Sequence, residues 1–334
     1  MNLFAYITLC DRILSTTPFY RKMSMISLDF FTKKLKDVEQ ILTSYFDKYL
    51  HMLTQNEDER IESAYQQLLE KYGETEDPWG LNIPKSKKSY RTLYAIYRHY
   101  FKVRLFGKEN IKDEQYMVIS NHSGQIAIDG LLIGSAFAFE NSPARVLRPM
   151  VERFFTSLPF INKWSNECGA VLGDRDNCLN LLKRGESLLI FPEGVRGVSK
   201  STSNFYKVQD FTPGFFRMAL KSGVKIIPVA VVGAEEVFPY VYQAKGIAKA
   251  LSLPALPLSA NYFPLPSPID IHVGAPIELP NNITSESEDY LIAPHIKEIQ
   301  KVIQKMLDEG RRTRRPWVFK KEINEKFNEG ENNE

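Results

Sequence analysis

The string Asn121-His122-Ser123-Gly124-Gln125-Ile126-Ala127-Ile128-Asp129-Gly130 holds the residues of this chain best suited to chemistry. A histidine with an aspartate close behind it is the smallest general-base pair. Imidazole titrates near neutrality, and a carboxylate fixes its tautomer and stabilises the imidazolium once a proton is taken. His122 and Asp129 stand seven residues apart. On one continuous helix they would lie roughly 10 Å apart along the axis. A hydrogen bond between them therefore requires residues 123–127 to fold back as a loop, with a helix starting near Ile128. Gly124 eases such a loop. The plainer alternative is that His122 caps a helix and Asp129 sits in its first turn, where an acid is favoured in any case.

The apolar run Tyr116-Met117-Val118-Ile119-Ser120 precedes the pair. It predicts a buried strand that delivers the pair to a sheet edge, where open α/β folds place their chemistry. Three more blocks follow: Gly169-Ala-Val-Leu-Gly-Asp-Arg175, Leu188-Leu-Ile-Phe-Pro-Glu-Gly-Val-Arg196 and Val224-Lys-Ile-Ile-Pro-Val-Ala-Val-Val-Gly233. Arg175 and Arg196 each end a strand-like run, where a guanidinium suits bidentate capture of phosphate. For either arginine alone a surface ion pair is the favoured reading; as a pair bracketing a Pro-Glu-Gly turn, binding is favoured. Glu193 would hold an arginine or an acceptor hydroxyl, and Gly194 lets the backbone approach a ligand. Lys200, in the Ser/Thr/Asn-rich loop 198–204, is a further phosphate candidate. Pro228 is expected to shape the start of a buried strand over 229–232. Glu235 and Glu236 behind it suit solvated loop charge, or else the rim of a site.

In this order the four blocks resemble the glycerolipid acyltransferase family, also called lysophosphatidic acid acyltransferase-like, over about residues 78–278. His122 and Asp129 match its His/Asp block, Gly169 and Arg175 its Gly…Arg block, Phe191 to Arg196 its Glu-Gly-x-Arg block, and Pro228 its proline block. The common pattern has four residues between His and Asp; this chain has six, and the form Asn-His-Ser-Gly-x-x-x-x-Asp-Gly is similar to a bacterial subgroup with a longer loop. The resemblance implies transfer of a fatty acyl group from acyl-CoA or acyl carrier protein, as co-substrate, to a lysophospholipid or lysophosphatidic acid. The longer loop points alternatively to a neutral acceptor such as diacylglycerol or a long-chain alcohol. A third option is a catalytically silent, membrane-associated protein on the same scaffold. Base catalysis on a thioester needs no covalent intermediate. The chain has no Gly-x-Ser-x-Gly elbow, and none of its three cysteines has an obvious His/Asp setting.

Composition sets the frame. At 334 residues, 43% hydrophobic and 25% charged, the chain has room for one α/β core and an appendage. Strand-like runs at 116–120, 146–149, 169–172, 188–191, 226–232 and 269–273 alternate with helical patterns. They predict an α/β fold: a mainly parallel, twisted sheet flanked by helices. Sparse cysteines suit a reducing compartment. No leader is expected from Met1 to Tyr20, and no stretch approaches 18 uninterrupted apolar residues. The five histidines are scattered, so neither a metal nor another cofactor is expected.

Around this core we expect an N-terminal helical region over 1–76, an acyltransferase domain over 77–321 that includes a basic C-terminal helix, and a disordered tail over 322–334. Leu28, Phe31, Leu35, Val38, Leu42, Tyr45, Tyr49 and Met52 form a heptad seam behind Ser27, and Asn56 with Glu59 forms a capping box opening a helix to about Tyr72. Residues 27–72 thus suit packing on the main domain or contact with a second copy of the chain. From Pro78 to Lys108 there are eight basic residues and no acid, with Tyr90, Tyr94, Tyr97 and Phe101 at helical spacing. A basic aromatic helix can lie in a membrane interface, or its aromatics can pack on the core. Arg311, Arg312, Arg314, Arg315, Trp317, Phe319, Lys320 and Lys321 form a second basic cluster. No nucleic-acid motif accompanies either cluster. We expect peripheral attachment to the cytoplasmic face of an anionic membrane through both. The proline-rich apolar segment 247–269 would wall an acyl site or dip into lipid.

Overall fold

The computed structural model describes residues 44, 48–123, 127–153, 161–239, 241–244, 246, 257–259, 261 and 263–314. The chain divides into two compact units, 1–55 and 56–334. In the first, residues 48–54 are helical. Most of the 27–53 seam, the cluster from Arg315 to Lys321, the tail and much of the proline-rich segment lie outside the described residues.

Period-two alternation along the apolar runs builds the sheet of the second unit. Its strands are β1 (Arg104–Phe106), β2 (Tyr116–Ser120), β3 (Leu147–Val151), β4 (Val171–Leu172), β5 (Ser187–Ile190) and β6 (Lys225–Val232). Two short strands, β7 (Val241–Gln243) and β8 (Pro257–Ser259), pair separately, and β9 (Asp270–Val273) returns to the main sheet. The order is β1-β9-β6-β2-β5-β3-β4. Every neighbouring pair is parallel except β6 with β9.

The helices are α1 (Asp58–Tyr72), α2 (Ile83–Ala95), α3 (Ile128–Phe139), α4 (Ile161–Glu167), α5 (Arg175–Lys183), α6 (Val195–Val198), α7 (Gly214–Ser222) and α8 (Asp289–Thr313). Because successive side chains of a strand point to opposite faces, β2 feeds two cores. Tyr116 and Val118 join Ile128, Leu132 and Ile133 of α3 in one. Met117 and Ile119 join α5, α7 and α8 in the other. α8 contributes Ile292, Ile296, Ile299, Ile303 and Leu307 at steps of three and four. Each such side chain stabilises by roughly 1.5–3 kcal/mol when fully buried, so α8 is an integral layer. The expected α/β fold with a mainly parallel sheet is the observed one.

Several expectations are corrected. The second compact unit begins at Asn56. Ile61, Tyr65 and Leu68 of α1 share a core with Ile83, Tyr90 and Tyr94 of α2 and Phe139 of α3. The Asn56–Glu59 capping box does not form: Glu57 occupies the N-cap of α1, without a side-chain cap bond. Tyr90, Tyr94, Tyr97 and Phe101 are buried, so the aromatic stripe faces the core and not a membrane. Its basic neighbours find acids supplied by α1 and its approach: Arg91 pairs with Asp58, Lys87 with Glu62 and Arg98 with Glu57. Pro228 lies inside β6, opposite Ile119 of β2, and does not precede the strand. It is tolerated because its missing N–H falls on the β9 side, where regular pairing starts only at Val229 and the Pro228 carbonyl accepts from Gly274 N.

Candidate active site

The strand–loop–helix unit β2–α3 folds His122 and Asp129 back on each other. β2 pairs with β6 as far as Ser120↔Val229, and Asn121 then continues the ladder with its side chain. Its Oδ1 accepts from Val231 N at 2.9 Å, and its Nδ2 donates to Val231 O at 3.2 Å. This fastens the chain one residue before His122, after the strand has ended.

His122 Nδ1 lies 2.7 Å from Asp129 Oδ2, and α3 starts at Ile128. Asp129 is fully buried. Its Oδ2 also accepts from Ser123 N at 2.8 Å, and its Oδ1 from Gly130 N at 2.8 Å. A carboxylate ringed by three donors is held in one orientation and in turn holds the imidazole. The His122 ring stacks on Phe191, with centroids 4.1 Å apart and planes at 15°.

The loop after β5 grips the same residue. Glu193 Oε1 accepts from His122 N at 2.8 Å, and Glu193 Oε2 from Gln209 N at 2.8 Å. Lys200 Nζ donates to His122 O at 3.0 Å and lies 3.1 Å from Glu193 Oε2 and 3.6 Å from Glu235 Oε1. Glu193, Lys200 and Glu235 are all buried. Burial pushes the Glu235 carboxyl above its ordinary range, while Lys200 pulls the other way.

The sequence-predicted site residues thus part company. His122, Asp129, Glu193 and Lys200 meet in one cluster. The Glu193 side chain holds backbone N–H groups and the Lys200 ammonium, its main-chain carbonyl accepts from Arg196 Nε at 3.5 Å, and Lys200 is buried beside it. Gly194 takes φ +56°, the left-handed turn that lets the loop double back. Arg196 lies in α6 and donates to Asp210 O at 2.8 Å. Arg175 is the first residue of α5, behind the Asp174 cap, 59% exposed at the side chain and 3.8 Å from Glu286. Among the described residues the two arginines share no partner. Glu235 is not solvated loop charge: it accepts from Tyr206 N at 3.0 Å, and Glu236 accepts from Tyr206 Oη at 2.7 Å. Arg314, counted with the basic surface cluster, instead has its side chain covered, paired with Glu236 and donating to Ser267 Oγ at 2.7 Å.

Sequence reasoning passed over Asn121, Phe191 and Gly197 as working parts, although all three sit inside or beside the blocks. Gly197 is the least legible. A Cβ there would come within 2.5 Å of His122 Cβ and 2.9 Å of Glu193 Cβ, so the glycine allows the loop to press on His122.

Beside this cluster a small, part-open cleft lies between α2, α3, α4 and β3. Its lining includes Leu93, Gly130, Leu131, Gly134, Phe139 and Trp164. Gly130 follows Asp129 and also touches the Phe191 ring. A mostly apolar cleft beside a polar constellation is a common setting for a small-molecule site. Burial pushes the Cys168 thiol up to about 11 and the Cys178 thiol up to about 12, so neither is poised as a thiolate nucleophile. Among the described residues no group of His, Cys, Asp and Glu is arranged to hold a metal.

The acyltransferase family profile matches residues 102–232, which contain the whole His122–Asp129–Glu193–Lys200 cluster. An uncharacterized protein of Mycobacterium tuberculosis is 28% identical over 226 residues, 64% of this chain and 63% of that one. The chain therefore spans less than two thirds of the length of this relative. A chloroplastic 1-acyl-sn-glycerol-3-phosphate acyltransferase of Arabidopsis thaliana is 26% identical over 143 residues, 42% of this chain and 38% of that one. A Gallus gallus protein named as a DGAT1/2-independent enzyme synthesizing storage lipids is 26% identical over 182 residues, 54% of each chain. Over residues 102–232 the chain is thus similar to the acyltransferase family, and over part of its length to a 1-acyl-sn-glycerol-3-phosphate acyltransferase.

Proposed function

We propose that this chain transfers a fatty acyl group from an acyl thioester, on coenzyme A or acyl carrier protein, to a hydroxyl of a glycerolipid, with His122 as general base. The observation that carries the proposal is the 2.7 Å contact between His122 Nδ1 and the buried Asp129 carboxylate, beside an apolar cavity. With Nδ1 engaged, Nε2 takes the acceptor's O–H proton. The oxygen then attacks the thioester carbonyl carbon, the C–S bond breaks, and the leaving thiolate takes the proton from the imidazolium. Asp129 offsets the positive charge on the ring while the proton is held there. The cavity suits the acyl chain, because its walls offer apolar surface and few hydrogen-bonding groups.

For the acceptor, a lysophospholipid or lysophosphatidic acid is the first choice, in line with the name of the Arabidopsis relative. Arg175 and Arg196 are then the residues for its phosphate. A neutral acceptor is the second choice. The six-residue gap between His122 and Asp129, the burial of Lys200 and the name of the Gallus gallus relative favour it. Labelled acyl-CoA and purified protein, assayed against a panel of acceptors, test both. Transfer should fall on the order of 10²–10⁴-fold in His122→Ala; wild-type rates in that variant would remove the mechanism. Arg175→Ala and Arg196→Ala should raise KM for a phosphorylated acceptor more than they lower kcat. Equal losses with phosphorylated and neutral acceptors would exclude an acceptor-phosphate role.

We place the protein on the inner face of an anionic membrane, attached peripherally. Among the described residues no helix is long and apolar enough to cross a membrane. With the α2 aromatics buried and Arg314 engaged, attachment falls to the exposed Arg311 and Arg312 and to the residues that follow them. Vesicle binding should drop steeply between physiological salt and 1 M, where the Debye length shrinks from about 8 Å to about 3 Å. No binding at either salt concentration would exclude attachment.

A further inference from the structure

We infer that Lys200 is a positioning residue for His122, acting with Glu193 through the histidine's main chain and not through a ligand phosphate. This assignment takes His122 as the base proposed above. Three contacts close a ring. Glu193 Oε1 takes the His122 N–H at 2.8 Å, Lys200 Nζ donates to the His122 carbonyl at 3.0 Å, and Lys200 Nζ meets Glu193 Oε2 at 3.1 Å. Both backbone polar groups of one residue are thereby tied to the two ends of a single buried ion pair. Glu193 is 1% exposed and Lys200 4%.

The backbone there has no strand partner to rely on. β2 ends at Ser120, and the Asn121 side chain carries the ladder one step further to Val231. Buried N–H and C=O groups beyond that point require partners from elsewhere. Glu193 and Lys200 supply them from either end of one loop, while Gly197 between them brings the loop backbone against His122 Cβ. Lys200 is fastened in turn to Glu235, which follows β6, the strand paired with β2. The imidazole is therefore located from two directions, by Asp129 through Nδ1 and by the ion pair through the main chain. Hydrogen bonds between ionised and neutral groups are shorter and stiffer than neutral ones, which suits a part that must keep a base in register with two substrates.

Lys200→Met alone would leave two buried carboxylates without a counter-ion, so the informative variant is Lys200→Met combined with Glu235→Gln. It keeps one carboxylate, Glu193, on the N–H groups of His122 and Gln209. Glu235→Gln alone is the reference. We expect the double variant to melt several degrees below the reference, because the Glu193 carboxylate stays buried without a counter-ion, and, assayed well below its melting temperature, to keep KM for acyl-CoA and acceptor within about twofold. Its kcat should fall roughly 100-fold, the size expected when a reacting group is misplaced by about 1 Å. Lys200→Arg with Glu235→Gln should recover part of that loss.

A double variant with the reference kcat would overturn the assignment. So would a loss confined to KM for a phosphorylated acceptor, which would make Lys200 a phosphate ligand after all. A rate loss that vanishes on cooling, in step with a lowered melting temperature, would reduce Lys200 to a stability role. Wild-type protein that turns over no acyl donor would instead defeat the acyltransferase proposal itself, whatever Lys200 does.

Discussion

Gly197→Ala should disable the base without touching any ionisable group. A Cβ at this position lies 2.5 Å from His122 Cβ and 2.9 Å from Glu193 Cβ, against 3.4–4 Å for ordinary contact. The shorter contact must therefore open by about 0.9 Å. Neither neighbouring atom is the far end of a flexible side chain. Both are Cβ atoms, and His122 is fixed on either side by Asn121, Glu193 and Lys200. The loop or the histidine must move as a body. A displacement near 1 Å at a catalytic group costs on the order of 100-fold in rate, and overpacking costs about 1–3 kcal/mol of stability. Thiol release from acyl-CoA, followed with a chromogenic disulfide, gives kcat and KM, and thermal denaturation gives the stability change. Gly214→Ala is the control: a Cβ there meets nothing within 4 Å, so rate and stability should stay near wild type. A Gly197→Ala protein with wild-type kcat would refute the claim that the 193–200 loop sets the position of His122.

Asp129→Asn should lower kcat less than His122→Ala does, yet also destabilise. One amide position would face an N–H that Asp129 now accepts from, at His122 and Ser123 or at Gly130, an unsatisfied contact of about 1–3 kcal/mol; unchanged denaturant stability would contradict this. Gly134→Leu should shift preference toward shorter acyl donors at little cost in stability, since a Cβ there meets nothing within 4 Å and points into open space beside the cavity. An unaltered chain-length profile would take the acyl chain out of that cavity. For Glu235, burial raises the folded-state pKa above the unfolded one. The native protein therefore binds the proton more tightly. The associated stability is fully present below the unfolded carboxylate pKa and is lost as pH rises through the folded one. Glu235→Gln should lose this dependence and gain on wild type as pH climbs from the acid range toward neutrality; parallel stability curves for the two proteins would rule it out.

Local pattern alone carried much of the fold and of the chemistry. The runs around β2, β5, β6 and β9 announce themselves because a strand buried on both faces must be apolar throughout, and β6 is buried at every position but its first. The loop between His122 and Asp129 was equally legible, since seven residues of helix would hold the two apart and a start at Ile128 brings them together. Other features depend on partners far away in sequence. A lysine in a polar loop looks solvated until Glu193 and Glu235 close over it, and two acids after a glycine look like surface charge until Tyr206 and Arg314 meet them. The basic aromatic stretch looked suited to a membrane until α1 supplied its acids and α3 its aromatic contacts. β1, three residues long and flanked by charge, carries too little pattern to be seen and exists because β9 offers it an edge. Sequence therefore determined which groups could do chemistry and which runs must be buried, because both follow from residue type and spacing. Tertiary structure alone decided which charges are sealed and what holds the base in place, because burial and pairing of a charge belong to the elements packed around it and not to its own segment.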